Sequence, residues 1–269
     1  MKLVVRFLAC LLVLVLFGCG GGSSTMTNPS GNTPTLNGSY SFIALSKNAG
    51  TNIFTVGGPI QTDSSGHVTA NFGVTSVGTT NTCFPAGSAG SFTGTLSPQG
   101  QLSLTSGTIN GQTINMTATI TTDGNNFFTG RPDYTITGGC LGGDSGSFFV
   151  SRLLTGSFTG SFLTTGGLVG VTVTFGQPGL PNADTSFPLN GTATFSNTAG
   201  CGGFTTATIT TGAEPGLNAA FTMATNLAGN TISFNGGTID GTSLQFMGAF
   251  AITGGPCAGS NGQVTLKKG

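Results

Sequence analysis

Few residues in this chain could do chemistry, and their spacing selects no reaction. His67 is the single histidine. It follows Ser64-Ser65-Gly66, so a Ser/His/Asp relay can be drawn. No Gly-x-Ser-x-Gly elbow between a strand and a helix supports it. His67 therefore reads as a solvated side chain beside a turn, with a general base as the competing reading. The acids are Asp63, Asp123, Asp133, Asp144, Asp184, Glu214 and Asp240. Glycoside hydrolysis needs two carboxylates facing one cleft, and nothing here pairs two of them. Asp123, Asp144 and Asp240 each sit beside glycine, where Asp serves turns through its side-chain hydrogen bond. No Asp-x-Asp-x-Asp run offers a calcium loop. Gly138-Gly139 and Gly142-Gly143 are followed by no helix and no lysine that could hold a phosphate. The expectation is a protein that is not an enzyme and carries no cofactor and no metal.

Sulfur is more informative. Cys10 and Cys19 lie near the amino terminus, and Cys83, Cys140, Cys201 and Cys257 lie in the body of the chain. No Cys-x-x-Cys or Cys/His spacing suggests zinc. Four cysteines in an exported chain imply disulfides, with three possible connectivities.

An internal repeat chooses among them. Ile136-Thr137-Gly138-Gly139-Cys140 returns as Ile252-Thr253-Gly254-Gly255-Pro256-Cys257, and Asp123-Gly124 returns as Asp240-Gly241. Leu36-Asn37-Gly38-Ser39-Tyr40 returns as Leu154-Thr155-Gly156-Ser157-Phe158, and Cys83 as Cys201. Measured at Cys140, Asp123, Leu36 and Cys83, the four landmarks hold a period of 117 or 118 residues, the mark of a duplicated unit. The matched cysteine gaps favour Cys83–Cys140 and Cys201–Cys257, one staple per unit.

The elements that carry these residues read as strands. Ile114-Asn115-Met116-Thr117-Ala118-Thr119-Ile120 and Val171-Thr172-Val173-Thr174-Phe175 alternate apolar and polar side chains, as half-buried strands do. Threonine suits the outward positions, being β-branched and polar. Ser65-Gly66, Asn110-Gly111, Asp123-Gly124 and Asp240-Gly241 supply hairpin turns. Eight strands are expected in each unit, near 38–46, 52–62, 67–76, 90–96, 101–109, 112–121, 126–137 and 146–153, then near 155–164, 168–178, 187–198, 203–211, 217–226, 230–239, 242–253 and 262–267. The fold class is all-β: two tandem eight-stranded antiparallel meander barrels over 36–153 and 154–269, with a pair of β-sandwiches as the alternative. Closure would remove strand edges that the few charges could not guard. Phe42, Phe127-Phe128 and Phe148-Phe149 are read as packing residues.

Charge is scarce, at 5% of residues. Beyond Lys2 and Arg6 the basic residues are Lys47, Arg131, Arg152, Lys267 and Lys268, against the seven acids. Such a surface lacks the basic stripe that a phosphate backbone requires, which argues against nucleic acid as a partner. Solubility must rest on hydroxyls and amides.

The amino terminus gives an address. Lys2 and Arg6 precede an apolar run from Phe7 to Phe17, too short to cross a bilayer and of the right length for a secretory leader over 1–18. It ends in Leu16-Phe17-Gly18-Cys19, which resembles the lipobox of bacterial lipoproteins. The resemblance implies a diacylglycerol thioether and an amide-linked chain such as palmitate on Cys19. Two or more chains are what stable anchoring takes. Gly20, where an Asp would signal retention at the inner membrane, implies the outer membrane. Residues 19–35, rich in Gly, Ser, Thr and Pro, read as a flexible tether reaching about 20 Å.

Two further resemblances concern the body. Leu36-x-Gly38-x-Tyr40 and Leu154-x-Gly156-x-Phe158 resemble the opening of lipocalin- and avidin-like barrels. Thr137-Gly138-Gly139-Cys140-Leu141-Gly142-Gly143 and the strand after it resemble the closing hairpin of uncharacterised β-rich bacterial lipoproteins. The expected function is a non-catalytic, membrane-anchored structural or interaction module at the outer membrane or cell surface, with a protein partner. The alternative is a carrier of a small apolar ligand in a barrel lumen. A hydrolase using His67 and a sixteen-strand membrane barrel are the remaining readings.

Overall fold

The computed structural model describes residues 34–78, 82–121, 128–238 and 244–269. The leader, Cys19, most of the tether, Asp123-Gly124, Phe127 and Asp240-Gly241 lie outside the described residues. The described residues belong to one compact unit.

Strands β1 (Gly38–Ser46), β2 (Asn52–Thr62), β3 (His67–Ser76), β4 (Ser88–Leu96), β5 (Gln101–Ser106), β6 (Thr113–Thr119), β7 (Asp133–Thr137) and β8 (Ser145–Arg152) form a meander. It closes into a barrel by pairing β1 with β8. Residues 153–155 lead to β9 (Gly156–Thr164) and β10 (Gly167–Phe175). The second barrel continues with β11 (Phe187–Pro188), β12 (Gly191–Ser196), β13 (Thr206–Glu214), β14 (Asn218–Thr225), β15 (Thr231–Thr238), β16 (Gln245–Thr253) and β17 (Asn261–Lys268). Eight of these close a ring through β9–β17, while the two-residue β11 is a spur on β13.

The period-two pattern explains the closure. In β5, Leu102, Leu104 and Ser106 are buried while Gln101, Ser103 and Thr105 face water. Inward rings fill both lumens. In the first barrel Phe42 meets Phe72 and Phe148 at 5.6 and 5.7 Å, Phe54 meets Tyr134 at 5.3 Å, and Phe72 meets Phe92 at 4.9 Å. In the second, Phe175 meets Phe221 at 5.2 Å, Phe221 stacks on Phe234 at 4.9 Å, and Phe162 lies 4.5 Å from Phe250. Such tilted and edge-on rings hold together beyond their area of burial. Phe42 and Phe148 are core residues as expected. Phe149 instead points outward, 41% exposed, with the Arg131 guanidinium 3.8 Å from its ring centre.

One expected strand, 187–198, divides into β11 and β12, and the chain before it is a long strap. Where β2 and β3 are joined by residues 63–66, β10 and β12 are joined by residues 176–190. The repeat period does not register this insertion. Shorter turns and strands elsewhere between Leu154 and Cys201 offset it residue for residue.

The strap crosses the outer face of β1–β3 in the first barrel. That face carries small residues in register: Ser151, Ser41, Gly57 and Gly73 across β8, β1, β2 and β3. A side chain on Gly57 would strike Phe187 and the Tyr40 carbonyl, and one on Gly73 would strike Pro181 and Leu180. Ser39 Oγ donates to Gln177 Oε1 at 2.9 Å, and Thr75 Oγ1 donates to the Pro181 carbonyl at 3.2 Å. Gly216, in the β13–β14 turn, lies against Ile43. This is why most of β1 and β2 and the second half of β3 are buried on both faces. The register-equivalent positions of the second barrel are Lys267, Thr159, Thr172 and Thr194. Threonine stands there where the first barrel has its two glycines.

Candidate functional site

The four body cysteines pair as Cys83–Cys140 and Cys201–Cys257, with Cα atoms 5.8 and 5.0 Å apart. Each bridge ties the loop after the third strand of its ring to the closing hairpin. Chain-entropy reasoning assigns a loop of this length about 4 kcal/mol. Disulfides are compatible with an exported protein.

A buried amide stands behind each bridge. Gln112 Nε2 donates to the Cys83 carbonyl at 2.9 Å, and its Oε1 accepts from the Leu141 N–H at 3.0 Å. Asn230 Nδ2 donates to the Cys201 carbonyl at 3.2 Å, while its Oδ1 is buried without a partner. Sequence reasoning missed this pair. The signal was present, because Gln112 and Asn230 stand one repeat period apart, each directly after a glycine.

Asp144 does more than shape a turn. It is 9% exposed, and its Oδ1 accepts from Ser46 Oγ at 2.6 Å and Asn48 Nδ2 at 3.0 Å. Its Oδ2 accepts from the Tyr134 hydroxyl at 2.8 Å. Burial and the nearby carboxylate push the Tyr134 hydroxyl well above the usual phenol range. In the second barrel the matching positions are Phe250 and Ser260, and Ser260 Oγ accepts from the Thr165 N–H at 3.0 Å instead. The hydroxyl and its carboxylate are thus replaced together, which marks a structural tie.

His67 does meet a carboxylate and a serine, in the wrong order for a relay. Its Nδ1 lies 3.8 Å from Asp63 Oδ2, and Ser65 Oγ donates to Asp63 Oδ1 at 2.7 Å. A nucleophile needs its proton taken by the histidine, yet here Asp63 stands between the two. The Ser65 and His67 N–H groups also donate to Asp63, and these bonds hold its carboxyl below the usual range. The group is a turn on an exposed corner. Among the described residues, no cluster of three His, Cys, Asp or Glu could hold a metal.

Glu214, treated from sequence as one scattered acid, is 1% exposed at the joint between the barrels. Both its oxygens accept from the Leu154 N–H, at 3.0 and 3.3 Å. Its strand neighbour is Phe187, the ring seated on Gly57. Burial pushes its pKa up to about 8, with the Leu154 N–H acting the other way.

Two surface grooves lie among the described residues. One of about 570 Å³ lies along the seam, lined by Thr75, Thr82, Pro85 and Ala183 among others. The second, about 420 Å³, runs over the outer face of β9 and β17, where Thr159, Ser161, Thr265, Gln263 and Lys267 converge. In the first barrel the closing ladder runs from Tyr40–Arg152 to Ser46–Gly146. In the second it stops at Ser161–Thr265, which leaves this groove in the wall.

No family model matches the chain, and no curated protein or solved structure does either.

Proposed function

We propose that this chain is a lipid-anchored, non-catalytic module of the bacterial outer membrane or cell surface, held through Cys19 and offering the outside of two joined barrels to a partner. The observation that carries this reading is the filling of both lumens by packed aromatic rings, mostly phenylalanine. A carrier needs a hollow of some hundreds of Å³, and side chains occupy that space. The exposed, turn-bound state of His67 and Asp63 supports the non-catalytic part. The paired cysteines fit the exported address.

Detergent phase partition of the full chain tests the anchor. The wild type is expected in the detergent phase, and the chain with Cys19→Ala in the aqueous phase. Partition of the two into the same phase removes lipidation at Cys19. Native mass spectrometry tests the carrier alternative: a retained lipid-sized mass on the gently purified protein would restore it.

A further inference from the structure

Of the five basic residues beyond the leader, Arg152 and Lys268 come together near where the tether joins the first barrel, and Lys267 adjoins Lys268 on the outward side of β17. Arg152, the last residue of β8, donates from a guanidinium N–H to the Asn37 carbonyl at 3.0 Å. Its guanidinium also lies against Gly38. Lys268 of β17 sits with its ammonium 5.9 Å from the centre of the Phe158 ring. Burial first, and then the charge of Arg152, pull its pKa down, so these two cations crowd each other. Lys267 faces outward beside Thr159 and forms one end of the 420 Å³ groove, with the hydroxyls of Thr159, Ser161 and Thr265 and the Gln263 amide.

Among the described residues, no carboxylate lies within ion-pair distance of Arg152, Lys267 or Lys268. Glu214, in the same joint, has burial to keep it protonated at neutral pH. Asp63, also near the tether, turns its carboxylate into its own turn. Arg152 and Lys268, without an ion pair among the described residues, thus stand where about 16 residues of tether would begin their path to the bilayer, a reach of about 20 Å, and Lys267 and the groove of donors continue along the neighbouring wall.

We propose that the Arg152–Lys267–Lys268 face, with the β9–β17 groove beside it, lies against the anionic phospholipid headgroups of the membrane that holds the tether. The proposal rests on the lipid-anchored reading above. Phosphate oxygens neutralise the three cations, and the Thr159, Ser161 and Thr265 hydroxyls and the Gln263 amide satisfy the remaining acceptors and polar groups of the headgroup. The contact fixes which side of the joined barrels faces outward.

Lysine footprinting tests it. The acylated full chain is reconstituted into phosphatidylcholine vesicles and into vesicles with a third of the lipid replaced by phosphatidylglycerol, and amines are acetylated in a short pulse. Lys47, on the β1–β2 turn at the far end of the first barrel, is the internal reference. Relative to Lys47, Lys267 and Lys268 should react at least about threefold more slowly in the anionic vesicles, in line with the attraction of each cation to such a surface. The difference should vanish in 1 M salt, where screening shrinks to about 3 Å. Flotation with both vesicle types and unchanged labelling ratios overturns the proposal and leaves the anchor standing. Flotation with neither overturns both. Equal protection by inorganic phosphate with phosphatidylcholine vesicles overturns the assignment to lipid.

Discussion

Glu214 is the residue whose charge the fold resists. Its pKa is raised from the ordinary 4.5 to about 8, so the folded chain binds a proton that the unfolded chain releases between those values. Stability from this group is therefore full below about pH 4.5 and lost as pH rises toward 8. The ceiling is about 5 kcal/mol if the whole shift is realised. Glu214→Gln should flatten the melting temperature against pH over this window, which a thermal melt series checks. A second residue-scale expectation concerns the amides behind the disulfides. Gln112→Ala leaves the Cys83 carbonyl and the Leu141 N–H without their partner in a buried site and should cost about 1–3 kcal/mol. Asn230→Ala removes only one bond and should cost less by denaturant titration.

At the scale of the element, the strap is the feature that makes one body from two barrels. Gly73→Ala is a selective probe, because the atoms nearest the added methyl all belong to Pro181 and Leu180 of the strap. Overpacking of this kind costs about 1–3 kcal/mol. The expected outcome is faster proteolytic nicking within residues 177–186, with the first barrel's own unfolding little changed. The strands were legible in the sequence because alternation is local: β1, β2 and β3 fall where Phe42, Phe54, Val56 and Phe72 alternate with small polar residues. The disulfide pairing was legible because duplication gave each cysteine a counterpart. The strap was not, since its added length is offset elsewhere and the landmarks kept their period. Nor was the burial of Ser41, Thr55 and Gly57, which depends on contacts from a segment more than a hundred residues away. Glu214 was hidden for the same reason, since nothing local marks an acid as belonging to a joint.

For the whole molecule, the seam predicts coupled melting. With the linker N–H of Leu154 bound to Glu214 and Phe187 seated on Gly57, calorimetry should show one transition, and Gly73→Ala should split or broaden it. Beyond Asp184 on the strap and Lys267 and Lys268 on β17, the described exterior of the second barrel carries no charged side chain. In its place, Thr159, Thr172, Thr194 and Thr206 form one row across four strands, and Ser157, Thr174, Thr192 and Thr208 form the next. This ladder of hydroxyls offers water hydrogen-bonding groups where ions are few, and closure of both rings leaves few strand edges to recruit neighbours.

The two glycines that receive the strap occur once per polypeptide. A neighbouring molecule offering its own strap would meet Thr172 and Thr194 on the second barrel, whose branched side chains fill the depression that Phe187 and Pro181 require. Head-to-tail growth needs an open socket and a free strap on every protomer, and here each molecule's own strap already fills its own socket. Sedimentation of the protein in detergent should give a single protomer at every concentration.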